Sequence, residues 1–258
     1  MAEPYTAVSN SREYSMKHSL LITLSLLLFL PNSLVAKSAE EYALEIEQLR
    51  AKGLSPFLSS LTREAVIAYP EDGRLLRMRG LYLFEKKRYR SAERSFAKLV
   101  KAQPNLAIGH LFLLRCQIAQ KTKKSTIDKT MQNIRSSLAG QSRHLAEAGN
   151  ILIRSKKMAT AFKHFVALLD GGSPNRWLYH LKLGQMYCLV GEWKEATSQL
   201  AKSQQLEPEY GLTYYYLGKA WERLGKKDYA QSLYAKALEV GLPQHLTKLV
   251  RSRLRQKQ

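Results

Sequence analysis

The stretch WLYHLKLGQMYCLVGEWKEATSQLAKSQQLEPEY, residues 177–210, and its continuation GLTYYYLGKAWERLGKKDYAQSLYAKALEVGLPQ, residues 211–244, decide the fold. In the first, large or apolar residues recur at three and four through Leu183, Tyr187 and Val190, stop at Gly191, and resume at Ala196, Leu200 and Ser203. That spacing predicts two amphipathic helices joined at a glycine able to take the left-handed C-terminal conformation. Gly225 stands at the equivalent place 34 residues later.

Working outward, the same ruler runs along the chain. Pro70 and Pro104 are 34 apart, as are Pro174 and Pro208, and Pro104 to Pro174 is twice that plus two. Gly80, Gly149, Gly184 and Gly218 are each followed twelve residues later by Ala92, Ala161, Ala196 and Ala230. A period of this length marks a solenoid of small stacked units. The prolines fall just past each second helix, where a missing N–H stops it. Earlier units place Lys87 and Lys156 where Gly191 and Gly225 stand, so less sharply defined turns are expected there.

These residues resemble the tetratricopeptide repeats, whose pattern is a large residue, then Leu-Gly, Tyr, Ala, Phe, Ala and a terminal Pro. Residues 177–210 carry Leu183-Gly184, Tyr187, Trp193, Ala196, Leu200 and Pro208, and residues 211–244 carry Tyr214, Leu217-Gly218, Trp221, Ala230, Tyr234 and Ala237. Residues 73–106 carry Gly80, Tyr89, Ala92, Phe96 and Pro104, and residues 142–175 carry Gly149, Ala161, Phe165 and Pro174. Two further units, 39–72 and 107–140, keep the length but are degenerate, the second with Leu114 and Gln117 where Gly and Tyr are expected. The resemblance implies an all-α fold, a right-handed α-solenoid of about six helix-turn-helix repeats over 39–244. It also implies that the glycines mark the closest crossing of each helix pair, with the alanines facing them and Phe96, Phe165, Leu200 and Tyr234 one turn further on. Residues 245–258 read as a capping helix with Leu246, Leu249, Val250 and Leu254 on one stripe; the alternative is a basic tail of Lys248, Arg251, Arg253, Arg255 and Lys257 that touches nucleic acid or anionic lipid.

At the other end, residues 19–30 are twelve uncharged, largely apolar residues, preceded by Lys17 and His18 and broken by Pro31 and Asn32. With Ala36-Lys37-Ser38 as a cut site, residues 1–38 have the layout of a secretory signal peptide, in which 1–15 precede a true start at Met16. An uncleaved inner-membrane anchor is the alternative. The expected location is a bacterial periplasm, with membrane anchoring or secretion as the other outcomes.

Lys and Arg number 41 against 21 Asp and Glu in 258 residues, a net charge of +20. With 45% hydrophobic and 24% charged residues, the composition excludes collagen, low-complexity disorder and a polytopic membrane protein. Cys116 and Cys188, two repeats apart, are expected as free thiols. No histidine pair, nucleophile triad or phosphate loop recurs at catalytic spacing, so neither an enzyme nor a cofactor is expected.

In the family that the chain resembles, first helices line a concave groove. Carried over position by position, that face includes Arg77, Phe84, Phe112, Arg115, Asn150, Arg154, Lys182, Tyr215, Tyr216, Lys219 and Arg223. Aromatic residues beside cations suit an extended or helical peptide bearing acidic side chains or a free carboxylate. Exposed ion pairs contribute about 0–1 kcal/mol each, so apolar pockets must supply most of any affinity. The family's carboxylate clamp is not expected, because Asn150, Arg74 and Arg77 stand in the wrong order. The function expected is that of an exported, non-enzymatic scaffold that binds a protein or peptide, of acidic character, and assists assembly of an envelope complex. Nucleic acid is not the expected partner, and membrane contact is expected only through an uncleaved anchor or the basic tail. The alternative is a binder of anionic polymer, nucleic acid or lipid through distributed Lys and Arg, whose binding would fall on the order of a thousandfold between about 50 and 200 mM salt.

Overall fold

The computed structural model describes residues 36–53 and 55–255, and among them thirteen α-helices and no strand. The leader expected at 1–38 lies outside the described residues as far as residue 35. Twelve helices form six consecutive pairs: α1 Ala39–Ala51 with α2 Ser55–Ala68, α3 Gly73–Glu85 with α4 Tyr89–Ala102, and α5 Ala107–Ala119 with α6 Lys124–Ser137. They continue as α7 Ser142–Arg154 with α8 Met158–Asp170, α9 Arg176–Val190 with α10 Trp193–Leu206, and α11 Gly211–Arg223 with α12 Lys227–Val240, and α13 Gln244–Arg255 ends the array. The fold is an all-α solenoid in which each helix packs on the next.

The turn inside each pair is the most uniform feature. Gly53, Lys87, Lys121, Lys156, Gly191 and Gly225 all have positive φ, between 55° and 85°. From the second pair on, the same hydrogen bond closes the helix: Arg88 N–H to Leu83 O, Thr122 N–H to Gln117 O, Lys157 N–H to Leu152 O, Glu192 N–H to Tyr187 O and Lys226 N–H to Trp221 O. This is the six-to-one bond of a left-handed helix terminus. Lys87 and Lys156, expected to sit in looser turns, therefore hold the same conformation as the glycines. The reason is that packing of the two helices dictates the turn, and the lysine side chain accepts the strained region. Non-glycine residues there carry a strain on the order of 1 kcal/mol or more, offset in part by the greater unfolded-state freedom of glycine. Each of Lys87→Gly, Lys121→Gly and Lys156→Gly is expected to stabilise the fold by about 0.5 kcal/mol, read as a rise in the urea midpoint.

The recurring glycines sit at close helix crossings, as expected, and the large residues press on them directly. A Cβ on Gly80 would lie 2.7 Å from the Phe96 ring, on Gly149 2.1 Å from Phe165, on Gly184 2.4 Å from Leu200, and on Gly218 2.8 Å from Tyr234. The large residue one turn beyond the alanine reaches back to close the notch, and at Gly218 the Ala230 carbonyl oxygen would also lie 3.1 Å from the added Cβ. Phe96, Phe165 and Leu200 are fully buried, and so are Ala92, Ala161 and Ala196. Where Leu114 replaces the glycine, it is itself core, and α5 and α6 are the most loosely paired helices within a pair. Gln117, in the usual tyrosine place, is buried and pairs with Glu93 and with the Thr130 hydroxyl, the latter at 2.9 Å.

The first helices α1 and α3 touch, and α5, α7, α9 and α11 touch one after the next, whereas of the second helices only α6 and α8 do so comparably. The wall whose members crowd one another is the inner, shorter one. The first helices therefore form the concave side.

Helix α13 covers the last pair. Val250 is fully buried, and Leu246 and Leu254 pack on the cluster containing Leu233, Tyr234 and Ala237, but Leu249, expected on the same stripe, is 41% exposed. Arg253, one of the cations of the alternative basic tail, turns inward: it pairs with Glu222 and donates to the Tyr234 hydroxyl at 3.0 Å. Tyr234 in turn donates to Glu222 at 2.9 Å. Val250→Ala is expected to remove about 2 kcal/mol from the stability of the C-terminal pair, by analogy with other methyl deletions in closed cores. Hydrogen exchange should show faster opening of α11 to α13 and unchanged protection of α3 and α4.

Candidate partner-binding wall

The eleven residues expected along the groove fall into three groups. Phe84, Phe112 and Tyr215 are drawn into packing. The Phe112 ring stacks on Phe96 at 5.1 Å and meets Phe84 edge-on at 5.1 Å, and Phe84 meets Tyr89 at 5.3 Å, a ladder that joins the second pair to the third. Tyr215 is 7% exposed and lies 6.1 Å from the Tyr234 ring, so it belongs to the C-terminal core rather than to an open groove.

Arg77 stands apart on α3, whereas Tyr216, Lys219 and Arg223 follow one another along α11, the first two beside Cys188. Arg77 shares a crevice between α1, α2 and α3 with Ile46, Leu58, Met78 and Tyr82, near the Arg50–Glu85 ion pair. Tyr216 is half-buried, and burial raises its hydroxyl pKa. Lys219 lies close enough to oppose the burial that pushes the Cys188 thiol up to about 11. Arg223 lies over the Trp193 ring at 5.6 Å, towards the turn that follows α9.

The remaining four, Arg115, Asn150, Arg154 and Lys182, come together on α5, α7 and α9. Arg115 lies over Phe112 at 5.0 Å and bridges to Glu147 of α7 at 3.4 Å. A recess between α7 and α9 is lined by Ala146, Glu147 and Asn150 from the first and Trp177, Leu178 and Lys182 from the second. These positions meet because residues four or so apart on α7 share one face, and α9 presents its matching face alongside. Burial lowers the Lys182 pKa; Glu147 opposes that and the exposed Arg154 reinforces it. Lys182 finds one weak acceptor on its own helix, Gln185 Oε1 at 3.4 Å. Arg143, which also lines the recess, joins Arg115, Arg154 and Lys182, so four cations gather around the carboxylate of Glu147 beside Trp177 and Leu178. A partly desolvated ammonium with spare donors is stabilised by an incoming carboxylate.

Trp177 was not singled out from the sequence. Its ring packs on Tyr210 at 4.7 Å and still borders the recess. The signal available in the sequence is a tryptophan in the first turn of a first helix.

Cys116 and Cys188 are free and buried. His110 bonds the Pro104 carbonyl at 2.7 Å and His164 the Leu145 carbonyl at 2.9 Å, while His180 pairs with Gln199 at 2.8 Å. All three tie helices or connectors together. Among the described residues no group of His, Cys, Asp or Glu is placed to hold a metal ion, and no helix is long and apolar enough to cross a membrane.

No family model matches the chain, and no curated protein matches it. Solved structures do. The Pseudomonas aeruginosa pilF protein is 17% identical over 70% of this chain and 82% of its own, with a TM-score of 0.47. YrrB, described as a TPR protein with an unusual peptide-binding site, is 14% identical over 75% of this chain and 98% of its own, with a TM-score of 0.45. PilW, described as a widely conserved type IV pilus biogenesis factor, is 12% identical over 78% and 93% respectively, with a TM-score of 0.47.

Proposed function

We propose that the protein is a non-enzymatic scaffold that holds a segment of a protein partner along its first-helix wall, centred on the recess between α7 and α9. The observation that carries this is Lys182: a half-buried cation with one weak acceptor, flanked by Arg115 and Arg154 and facing an open recess floored by Trp177 and Leu178. The partner segment carries at least one Asp, Glu or terminal carboxylate for Lys182 and an apolar side chain for the floor. Asn150 offers both a donor and an acceptor to the partner's backbone. The leader-like pattern at 1–38 supports an exported scaffold acting in assembly of a bacterial envelope complex.

Photo-crosslinking in the native envelope tests this. A photoreactive residue at Asn150 is expected to form a discrete adduct that the same residue at Lys98, on α4, does not form. Lys182→Met keeps the aliphatic volume and removes the charge; it should lower adduct yield at Asn150 at least tenfold, equivalent to about 1.4 kcal/mol. Equal yield in that variant, with the helical spectrum intact, would remove Lys182 and this recess from the account.

A further inference from the structure

Because each helix packs on the next through a connector of a few residues, successive helices run antiparallel and the connectors alternate between two edges of the array. The two edges differ in charge. Connectors inside the pairs carry Lys52, then Lys86, Lys87 and Arg88, then Lys121 and Lys123, then Lys156 and Lys157, and Lys226, against one carboxylate, Glu192. Connectors between the pairs carry no Lys or Arg, and four acids: Glu71, Asp72, Glu207 and Glu209. None of the basic-edge cations joins an ion pair among the described residues.

Those cations stand where the local backbone favours something else. Lys87, Lys121 and Lys156 hold a left-handed conformation that suits glycine, as Gly191 and Gly225 do further along. Arg88, Lys123, Lys157 and Lys226 are the N-caps of α4, α6, α8 and α12, and none makes a side-chain cap. Ser, Thr, Asp or Asn is preferred there, and a cation opposes the helix dipole. Departures from local preference that the fold does not require mark a surface kept for another purpose.

Further along the same edge the character changes. Leu189 and Val190, which end α9, are 64% and 58% exposed, and Tyr229, in the first turn of α12, is 52% exposed. The Trp221 ring meets Tyr229 at 5.5 Å. Aromatic rings with exposed aliphatics beside a row of lysines match the headgroup zone of a bilayer.

We propose that this connector edge docks on an anionic lipid bilayer, with the lysines of the second to fourth pairs at the headgroup phosphates and Leu189, Val190 and Tyr229 in the interface. Nucleic acid fits less well. The cations are mostly Lys rather than Arg, the aromatic residues gather at one end instead of interleaving, and exposed aliphatic side chains offer no face for a base. Docked in this way, the array stands on its edge and leaves the concave wall open to a partner. The inference does not depend on the recess between α7 and α9.

The test is vesicle co-sedimentation of the full chain at about 0.1 M salt, with phosphatidylcholine vesicles and with vesicles containing phosphatidylglycerol. Any contribution of residues 19–30 is common to all variants, so the gain on adding phosphatidylglycerol reads the charge. The triple Lys87→Gly, Lys121→Gly, Lys156→Gly removes three edge charges while relieving backbone strain, so the fold is retained or strengthened. The triple Lys98→Gln, Lys101→Gln, Lys202→Gln removes as many from exposed positions in the later parts of α4 and α10. Each cation near an anionic surface multiplies partitioning by about fivefold. The edge triple should therefore lose on the order of a hundredfold of the phosphatidylglycerol gain, and the control triple less than about fivefold. Equal losses would reduce the effect to net charge and overturn the proposal. So would an edge triple that binds as the parent does, or an edge that binds duplex RNA or DNA and ignores both kinds of vesicle.

Discussion

Gly149→Ala is expected to destabilise the array by about 2 kcal/mol, although alanine is the better helix former by up to about 1 kcal/mol. The added methyl would stand 2.1 Å from Phe165 Cζ, with two more ring atoms within 2.9 Å. The ring has nowhere to go. Phe165 is fully buried, with its neighbour His164 at 5.2 Å and Tyr179 at 6.4 Å between ring centroids. Phe165→Ala should cost more, about 3–5 kcal/mol, because it leaves a closed cavity. Combining Gly149→Ala with Phe165→Leu is expected to cost less than the sum of the two single changes, because the smaller side chain vacates the space the methyl needs. Urea titrations of the four proteins measure this, and strict additivity would show that the contact is not the one that sets the crossing.

The second large effect is on pH. His164 bridges α8 to α7 through the Leu145 carbonyl, and burial pushes its pKa down to about 4 from an ordinary 6.5. Its ring is neutral in the fold, with Nε2–H donating to Leu145, and Nδ1 has no partner. Between these two values the unfolded chain binds a proton that the folded chain does not, so stability falls as pH drops from 6.5 towards 4 and is fully present above 6.5. The size is about 3 kcal/mol at the acid end, on the conversion of about 1.4 kcal/mol per pKa unit. His180 shifts in the same direction, through burial opposed by its bond to Gln199. His164→Phe should lose the Leu145 bond at all pH values, yet show a flatter stability profile than the parent between pH 6.5 and 5. Denaturant midpoints across that range check the slope, and parallel profiles for parent and variant would mean that His164 does not titrate on unfolding.

What could be read from the sequence follows from which constraints act on residue type. The helix pairs were legible because Gly80, Gly149, Gly184 and Gly218 each face a bulky side chain sixteen residues later, and only glycine fits beneath it. The turns at Lys87 and Lys156 were misread because a positive φ leaves no trace in the sequence once the residue is not glycine. Tyr215 and Tyr216 occupy neighbouring groove positions, and which of them is covered depends on how α11 rotates against Tyr234, a matter of tertiary packing. The inward turn of Arg253 is invisible in the sequence because its partner, Glu222, lies 31 residues away and no local pattern announces the pair. The convergence of Arg115, Asn150, Arg154 and Lys182 needed three helices in register. Trp177 went unnoticed because the position it fills is not one from which first-helix side chains usually reach the groove.

The most direct test of the account is lysine acylation footprinting of the protein in its native envelope against the purified chain. Protection in the envelope is expected at Lys182 on the wall and at Lys87, Lys121 and Lys156 on the basic edge, with Lys98, Lys101 and Lys202 labelled alike in both states. Protection centred on the second helices at Lys98, Lys101 and Lys202, with Lys182 labelled as in the free protein, would contradict it.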